Sequence, residues 1–500
     1  MIAALFLLAA LSFRDAGTLP TRLNHAPSPQ KLLPETMAGG LAAFDYDGDG
    51  LLDILVTGAS DRQDRLFRNK GNFQFEDVTT VSGLTTKLHS IGVAVGDYNN
   101  DGRPDLLIVG VNGLALYRND GKRFSDVTTA AGVADSGWSV AAGWFDADND
   151  GLLDLLLVHY VVWPPAQSKV CLAPGGERQV YCHPKYFAPT ANRLFRNKGD
   201  GTFVDASQSS GIARSLGKGM SVSFGDFDAD GRIDVFVPND ALPNFLFHNL
   251  GQGRFEEVAL TAGVALPDSG RAVSGMGSAF TDVDNDGRPD IIFTALAGES
   301  FPFFHNTGRG FEDRTARSRL AAAIGRRSGW GIAVADLDND GAKDILTANS
   351  HVMDNIDQHS GDRYRLPLSL FRNRNDGTFE DAGPLFPGDA AHRGLIVADL
   401  DNDGRLDVVV TRLGEEPRLW RNESPAQNWI GIDVPVGTTV QIGNQTGVQT
   451  TAVSYASSVL APLHFGLGTQ VKIAKIQIVY PNGKSKTLTD VPVNQVLKPL

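Results

Sequence analysis

DYDGDGLLD at residues 45–53 is the first of seven nine-residue strings whose reading decides how this chain folds. The others are DYNNDGRPD at 97–105, DADNDGLLD at 146–154, DFDADGRID at 226–234, DVDNDGRPD at 282–290, DLDNDGAKD at 336–344 and DLDNDGRLD at 399–407. Their starts lie 52, 49, 80, 56, 54 and 63 residues apart, which marks an internal repeat. A second string follows each: LFRN at 66–69, LYRN at 116–119, LFRN at 194–197, LFHN at 246–249, FFHN at 303–306, LFRN at 370–373 and LWRN at 419–422. Runs such as GVAVG before the Asp strings and LLIVG after them are short, apolar and bounded by turn residues, so they read as strands. In the first six units a turn and a fourth strand-like run come next. A lone four-stranded unit keeps two exposed edges and half a core, whereas seven arranged radially bury both faces of every sheet. The expected fold is all-β: a seven-bladed β-propeller over 18–424, with calcium loops and a small β domain over 425–500. The seventh unit shows no fourth strand after LWRN, and residues Thr18 to His25 are expected to supply it and close the ring.

Composition agrees. Of 500 residues, 55 are Gly and 25 Pro, and Asp outnumbers Glu 47 to 11, which favours turns over helices. At 42 % hydrophobic the chain can build a core. A net charge of −13 argues against nucleic acid as a partner. The apolar run Ile2 to Leu11 sits where a secretory leader would, with Ala10-x-Ser12 as a cleavage site. A leader over 1–17, no transmembrane helix in the mature chain, and a secreted, periplasmic or cell-surface location are expected.

Asp at positions 1, 3 and 5 with Gly at 6 is the oxygen-ligand pattern of a calcium loop. Position 1 is Asp45, Asp97, Asp146, Asp226, Asp282, Asp336 and Asp399; position 3 is Asp47, Asn99, Asp148, Asp228, Asp284, Asp338 and Asp401. Position 5 is Asp49, Asp101, Asp150, Asp230, Asp286, Asp340 and Asp403; position 9, closing the shell, is Asp53, Asp105, Asp154, Asp234, Asp290, Asp344 and Asp407. Position 12 is never Glu and the flanks are strands, so these are not EF-hands. Crowded carboxylates repel unless a cation neutralises them, and about seven Ca2+ would bring the net charge near zero.

The strings resemble the FG-GAP/VCBS repeats of integrin α-subunit propellers, from Gly40 to Asn422. The tail strings NWIGIDV at 428–434, LHFGLG at 463–468, IAKIQIVYPNGKSKTL at 473–488 and VPVNQVL at 491–497 resemble the ASPIC/UnbV domain. Together, and with the entry segment PETMAGGLAAFDYDGDG at 34–50, they look like the cartilage acidic protein–like family. That resemblance implies a secreted calcium-binding propeller.

Units three and six carry insertions, 159–190 and 349–367, in the same connection, expected opposite the Asp loops and facing each other across the axis. The first holds Cys171 and Cys182, which read as a disulfide, with two free thiols or half a metal site as the alternative. The second holds His351, Asp354, Asp357 and His359, a further metal site or solvated loop polarity. His89, Trp138, Lys218, Arg271, Arg327, Trp330, His392 and Arg393 each stand a few residues before a first strand, where they would crowd a funnel mouth. Cations and indoles there suit a protein or anionic glycan ligand, or cap the channel by pairing with carboxylates. No nucleophile motif, HExxH, P-loop or dinucleotide fingerprint appears in a fitting context. The reading is a binding or adhesion module; the alternative is a polysaccharide-active enzyme, which a buried His–carboxylate pair in the funnel, unshared with calcium, would favour.

Overall fold

The computed structural model describes residues 11–23, 27–58, 63–164, 169–173, 176, 178–358 and 360–499. These residues form a β-propeller of antiparallel four-stranded sheets. Unit two shows the pattern: Ser90–Gly96, Asp105–Gly110, Gly113–Asn119 and Phe124–Asp126 pair in chain order. The Asp string is the turn between the first two strands, its ninth residue opens the second strand, and the second string is the third strand. Seven sheets follow this plan, beginning at Leu41, Ser90, Ser139, Ser223, Ser278, Gly329 and His392.

The seventh sheet takes its outer strand from Phe13–Thr18, which pairs Phe13 with Asn422 and Thr18 with Arg418. This corrects the expected 18–25 segment, of which Asn24 and His25 lie outside the described residues. The strand overlaps the expected leader over 1–17, so a leader ending at 17 would carry the closing strand away with it. The apolar run itself falls mainly on residues outside the described ones. Among the described residues no helix is long and apolar enough to cross a membrane.

Apolar cores lie between neighbouring sheets. Phe44, Leu55 and Leu66 of unit one meet Val93, Val95, Leu106, Ile108 and Tyr117 of unit two. The first strands are rich in small residues because they converge on the axis. A Cβ on Gly92 would stand 2.3 Å from the Val140 carbonyl of the next unit, and one on Gly277 2.4 Å from that of Trp330. Only glycine allows so close a backbone approach.

The tail is not a separate lobe. Asn428–Ile432 pairs with Leu463–Gly468 and Val496–Leu497, and Thr439–Ile442 with Gln445–Val448 and Lys472–Val479, around a core of Ile430, Val440, Phe465, Ile476 and Ile478. Between these sheets a hairpin, Ala452–Val453 and Ser457–Val459, leaves the tail and enters the propeller axis. It pairs in parallel with Leu41–Phe44, making the first sheet six-stranded. The Val93 and Val95 amides donate to Ala456 O and Ser458 Oγ, and the Ile332 amide donates to Ser454 Oγ. The hairpin therefore plugs the channel and ties the 425–500 segment to the propeller.

Candidate metal centres

Each Asp string folds by the same local hydrogen bonds. The position 1 carboxylate accepts the amides of positions 5 and 6, as Asp97 does from Asp101 (3.0 Å) and Gly102 (2.8 Å). In six of the loops position 9 accepts the amide of position 2 and that of the Asn ending the second string, as Asp53 does from Tyr46 and Asn69 at 2.9 and 2.8 Å; in unit six Asp344 accepts from Asn373 (2.9 Å) and its Oδ2 is left without a partner. Position 6 is glycine with φ near +82 to +93° throughout. Position 4 is left-handed as well: Gly48, Asn100, Asn149, Ala229, Asn285, Asn339 and Asn402 have φ between 55 and 76°. Asn and Gly are the residues that bear this conformation best, which is why they dominate there.

The loops are stapled to one another in both directions. The Asn of each second string sends its side-chain amide to the position 2 carbonyl of the preceding unit. Asn119 reaches Tyr46 (2.9 Å), Asn197 reaches Tyr98 (2.8 Å), and Asn69 of unit one reaches Leu400 of unit seven (2.8 Å). The position 4 Asn donates forward to the next unit's position 6 carbonyl, as Asn402 does to Gly50 (3.0 Å). Sequence reasoning read neither staple, although the Asn ending every second string and the Asn at position 4 of five loops were on view.

It also missed what precedes that Asn. In five units the residue is Arg, and in four of these it reaches the position 3 carboxylate. Arg68 lies 2.9 Å from Asp47, Arg372 2.6 Å from Asp338, Arg421 2.8 Å from Asp401, and Arg196 pairs with Asp148. Unit two has Asn99 at position 3, and there Arg118 turns to Asp120 instead. In units four and five the residue is His: His248 Nε2 lies 3.1 Å from Asp228, and His305 Nδ1 3.2 Å from Asp284.

These donors fit a hard cation. One position 3 oxygen, Oδ1, is buried without a hydrogen-bond partner in Asp47, Asp148, Asp284 and Asp401, as is Asp344 Oδ2. Burial pushes the closing carboxyls up: Asp53 and Asp154 to about 7, Asp105 and Asp234 to about 8, Asp344 and Asp407 well above the carboxylate range. Asp336, pushed up to about 8 by burial and by Asp340 and Asp338, is in the same state. Carboxylates converging from positions 1, 3 and 9, as Asp45, Asp47 and Asp53 and again Asp146, Asp148 and Asp154 do, are an oxygen shell of the kind Ca2+ prefers.

The expected funnel is not open. Trp138, Lys218, Trp330, His392 and Arg393 are all buried. Arg393 lies 3.9 Å over the Trp330 ring, donates to Thr36 O at 2.9 Å and bonds to Ser350. Lys218 donates to Pro184 O of the unit-three insertion (2.7 Å), and His392, pushed down to about 4 by burial, sits 3.1 Å from Asn349 O. Arg327 pairs with Asp381 (2.7 Å), His89 is half-buried, and only Arg271 is exposed. Lys218 and Arg393 thus hold the cap on the channel.

The cap is built from both insertions and the arm before unit one. Cys171 and Cys182 form a disulfide, and Trp163 and Phe187 pack toward Trp138. The insertions meet across the axis, Asn355 donating to Gln179 O at 3.1 Å. Asp354 is taken by Lys31 (2.7 Å) and His351 Nδ1 by the Met353 amide (3.0 Å), so that group is local polarity; His359 lies outside the described residues. A buried His159–Asp135 pair (3.1 Å) does exist away from the loops, but Arg193 closes over it at 2.9 Å.

The large cavity is at the other mouth. About 1120 Å3 lies between the Asp loops and the tail, lined by Tyr46, Lys122, Phe280, Lys343, Trp429 and Lys498 among others; His159 and Asp135 are not among its walls. The tail leans on loop six, where Gln427 donates to Asp338 O (2.7 Å) and His464 Nε2 lies 2.6 Å from Asn339.

The family described as FG-GAP-like repeat matches residues 45–108, 97–157, 181–237, 226–293, 282–347 and 357–410, and that described as ASPIC and UnbV matches 425–498. Cartilage acidic protein 1 of Mus musculus is 27 % identical over 321 residues, 59 % of this chain and 47 % of the relative. That of Homo sapiens is 27 % identical over 320 residues, 59 % of this chain and 46 % of its own length. The chain thus spans less than half the length of these relatives. Among solved structures, YCF48 bound to D1 peptide matches with TM-score 0.45 at 9 % identity, covering 84 % of this chain and 98 % of that one. A lectin of Agrocybe aegerita matches with TM-score 0.39 at 16 % identity, covering 70 % and 81 %.

Proposed function

The chain belongs to the FG-GAP-like repeat proteins that carry an ASPIC and UnbV domain, and from that premise we propose that it is an exported, calcium-loaded, seven-bladed propeller acting as an extracellular binding module. The observation that carries the calcium reading is the set of buried, unpartnered position 3 oxygens beside closing carboxyls raised by burial. Bound Ca2+ supplies positive charge that lets these groups ionise. Its ligands come from positions 1, 3, 5 and 9, and the Asn staples pass the resulting rigidity from unit to unit. The disulfide supports export.

The ligand enters the cavity between loops and tail rather than the opposite face, because the cap fills the latter. Lys122 and Lys498, 62 % and 73 % exposed and paired with Asp47 (3.5 Å) and Asp433 (3.0 Å), line this cavity and suit an anionic glycan or an acidic protein segment. Metal analysis of the gel-filtered chain should return about seven Ca2+, and an acidic-glycan array should show binding that EDTA abolishes. The double variant Lys122→Ala/Lys498→Ala should bind less, with an unchanged melting temperature and a weaker salt dependence. A calcium-free chain would overturn the metal reading; an array on which wild type and double variant behave alike would overturn the site.

A further inference from the structure

We propose that the unit-five loop is a mixed nitrogen–oxygen centre that takes a zinc-type transition-metal ion in preference to Ca2+, with His305 as a ligand. Asp284, Asp290 and His305 bring one ligand atom each to within 4.8 Å of one another. His305 is 4 % exposed, and its Nδ1 has no hydrogen-bond partner. That nitrogen points between two carboxylates, 3.1 Å from Asp290 Oδ1 and 3.2 Å from Asp284 Oδ2. Donors that share a cation at about 2.1 Å stand about 3.0 to 3.4 Å apart, so the spacing is that of neighbours in one coordination shell. Asp284 Oδ1, on the same carboxylate, is also buried and unpartnered. Asp290 Oδ1 accepts the Asn306 amide at 2.8 Å and keeps a second lone pair.

The chemistry separates this loop from those whose second string supplies Arg. A guanidinium adds a positive charge and no lone pair, whereas a neutral imidazole adds a donor suited to Zn2+, Ni2+ or Fe2+. Ca2+ takes oxygen ligands and gains little from nitrogen. Asp286 lies 3.8 Å from the other ring nitrogen, beyond hydrogen-bond distance. Arg314 lies 3.8 Å from Asp284 Oδ2 but is drawn outward by Glu312 at 3.4 Å. Unit four repeats the arrangement in a more open form, with His248 Nε2 at 3.1 Å from Asp228 and 3.7 Å from Asp230.

The inference concerns the donor set of this loop and stands or falls apart from the calcium reading of the others. The full chain, stripped with EDTA and returned to millimolar Ca2+, is titrated with Zn2+, and with Co2+ for its ligand-field spectrum. The expected result is a tight Zn2+ site that survives excess Ca2+ and a Co2+ spectrum with nitrogen ligation. Both are lost in His305→Arg, the residue most units carry there, with Zn2+ affinity down about 100-fold or more. His305→Asn, which keeps a small polar side chain, gives the same loss, and circular dichroism on both variants shows that the fold persists. Wild type that holds no Zn2+ against Ca2+, or variants that hold as much as wild type, would overturn the proposal. A chain that bound no Ca2+ anywhere yet lost Zn2+ in both variants would leave this centre standing and remove the calcium reading alone.

Discussion

Single side chains in the loops do two jobs: they hold the left-handed turn and they tie one unit to the next. Ala229 does neither. It sits at φ +59°, where the other six loops have Asn or Gly, and it cannot send an amide to Gly287 of the following unit. Ala229→Asn should therefore stabilise the chain by about 1–2 kcal/mol, from relieved strain and a new hydrogen bond. Urea unfolding checks this, and a midpoint that did not rise would contradict it. Asn99 is the other departure. Its side chain bonds within the loop, to Asp101 at 3.0 and 3.1 Å, and supplies no charge. Asn99→Asp should raise Ca2+ affinity at that loop, by about tenfold for one added charged ligand, in a calorimetric titration.

At the scale of the loop, the raised carboxyls predict how stability depends on pH. In the metal-free fold Asp53 and Asp154 titrate near 7 and Asp105 and Asp234 near 8, against about 4 in the unfolded chain. The fold then holds protons that the unfolded chain releases. That contribution is complete below about pH 4 and is lost as pH rises through 7 to 8. In EDTA the melting temperature should fall from pH 5 to 8.5, and millimolar Ca2+ should flatten the profile by replacing the protons. A flat profile in EDTA would contradict the assignment. At the scale of the hairpin, Tyr455 meets Trp330 edge-on at 5.0 Å inside the channel, while its hydroxyl is buried without a partner. Tyr455→Ala should cost about 3–5 kcal/mol by emptying that space. Tyr455→Phe should cost nothing, since it removes an unpaired polar group. Equal losses in the two variants would show that the hydroxyl, not the ring, holds the plug.

The whole molecule is a ring whose ends are brought together twice, by Phe13–Thr18 against unit seven and by the tail hairpin against unit one. Because the Asn staples run round the circle and across the closure, the loops unfold as one set. At ten times the dissociation constant each bound Ca2+ would add about 1.4 kcal/mol, so six or seven such loops would add roughly 8 to 10 kcal/mol, comparable to the entire stability of an ordinary domain. Calorimetric melts in EDTA and in millimolar Ca2+ should differ by many degrees while remaining a single transition. Superposed melts would sink the calcium reading, and two well-separated transitions would sink the coupling.

The amino-acid sequence by itself determined the strands, the loops with their carboxylate spacing, and the cysteine pair, because each of these depends on residues close together along the chain. A bend at Gly50 that lets Asp45, Asp47 and Asp53 converge is a nine-residue event. Tertiary structure alone decided which segment completes the last sheet, that the tail enters the axis, and that Trp330 and Arg393 are packing rather than a binding surface. Those outcomes rest on contacts such as Arg393 to Thr36, 357 residues apart, and Ala42 beside Ser458. A small or apolar strand residue is compatible with many neighbours, and a charged one with solvent or with burial. Only closing the ring, which brings the first strands within backbone contact around the axis and leaves a gap the hairpin fills, selects among them.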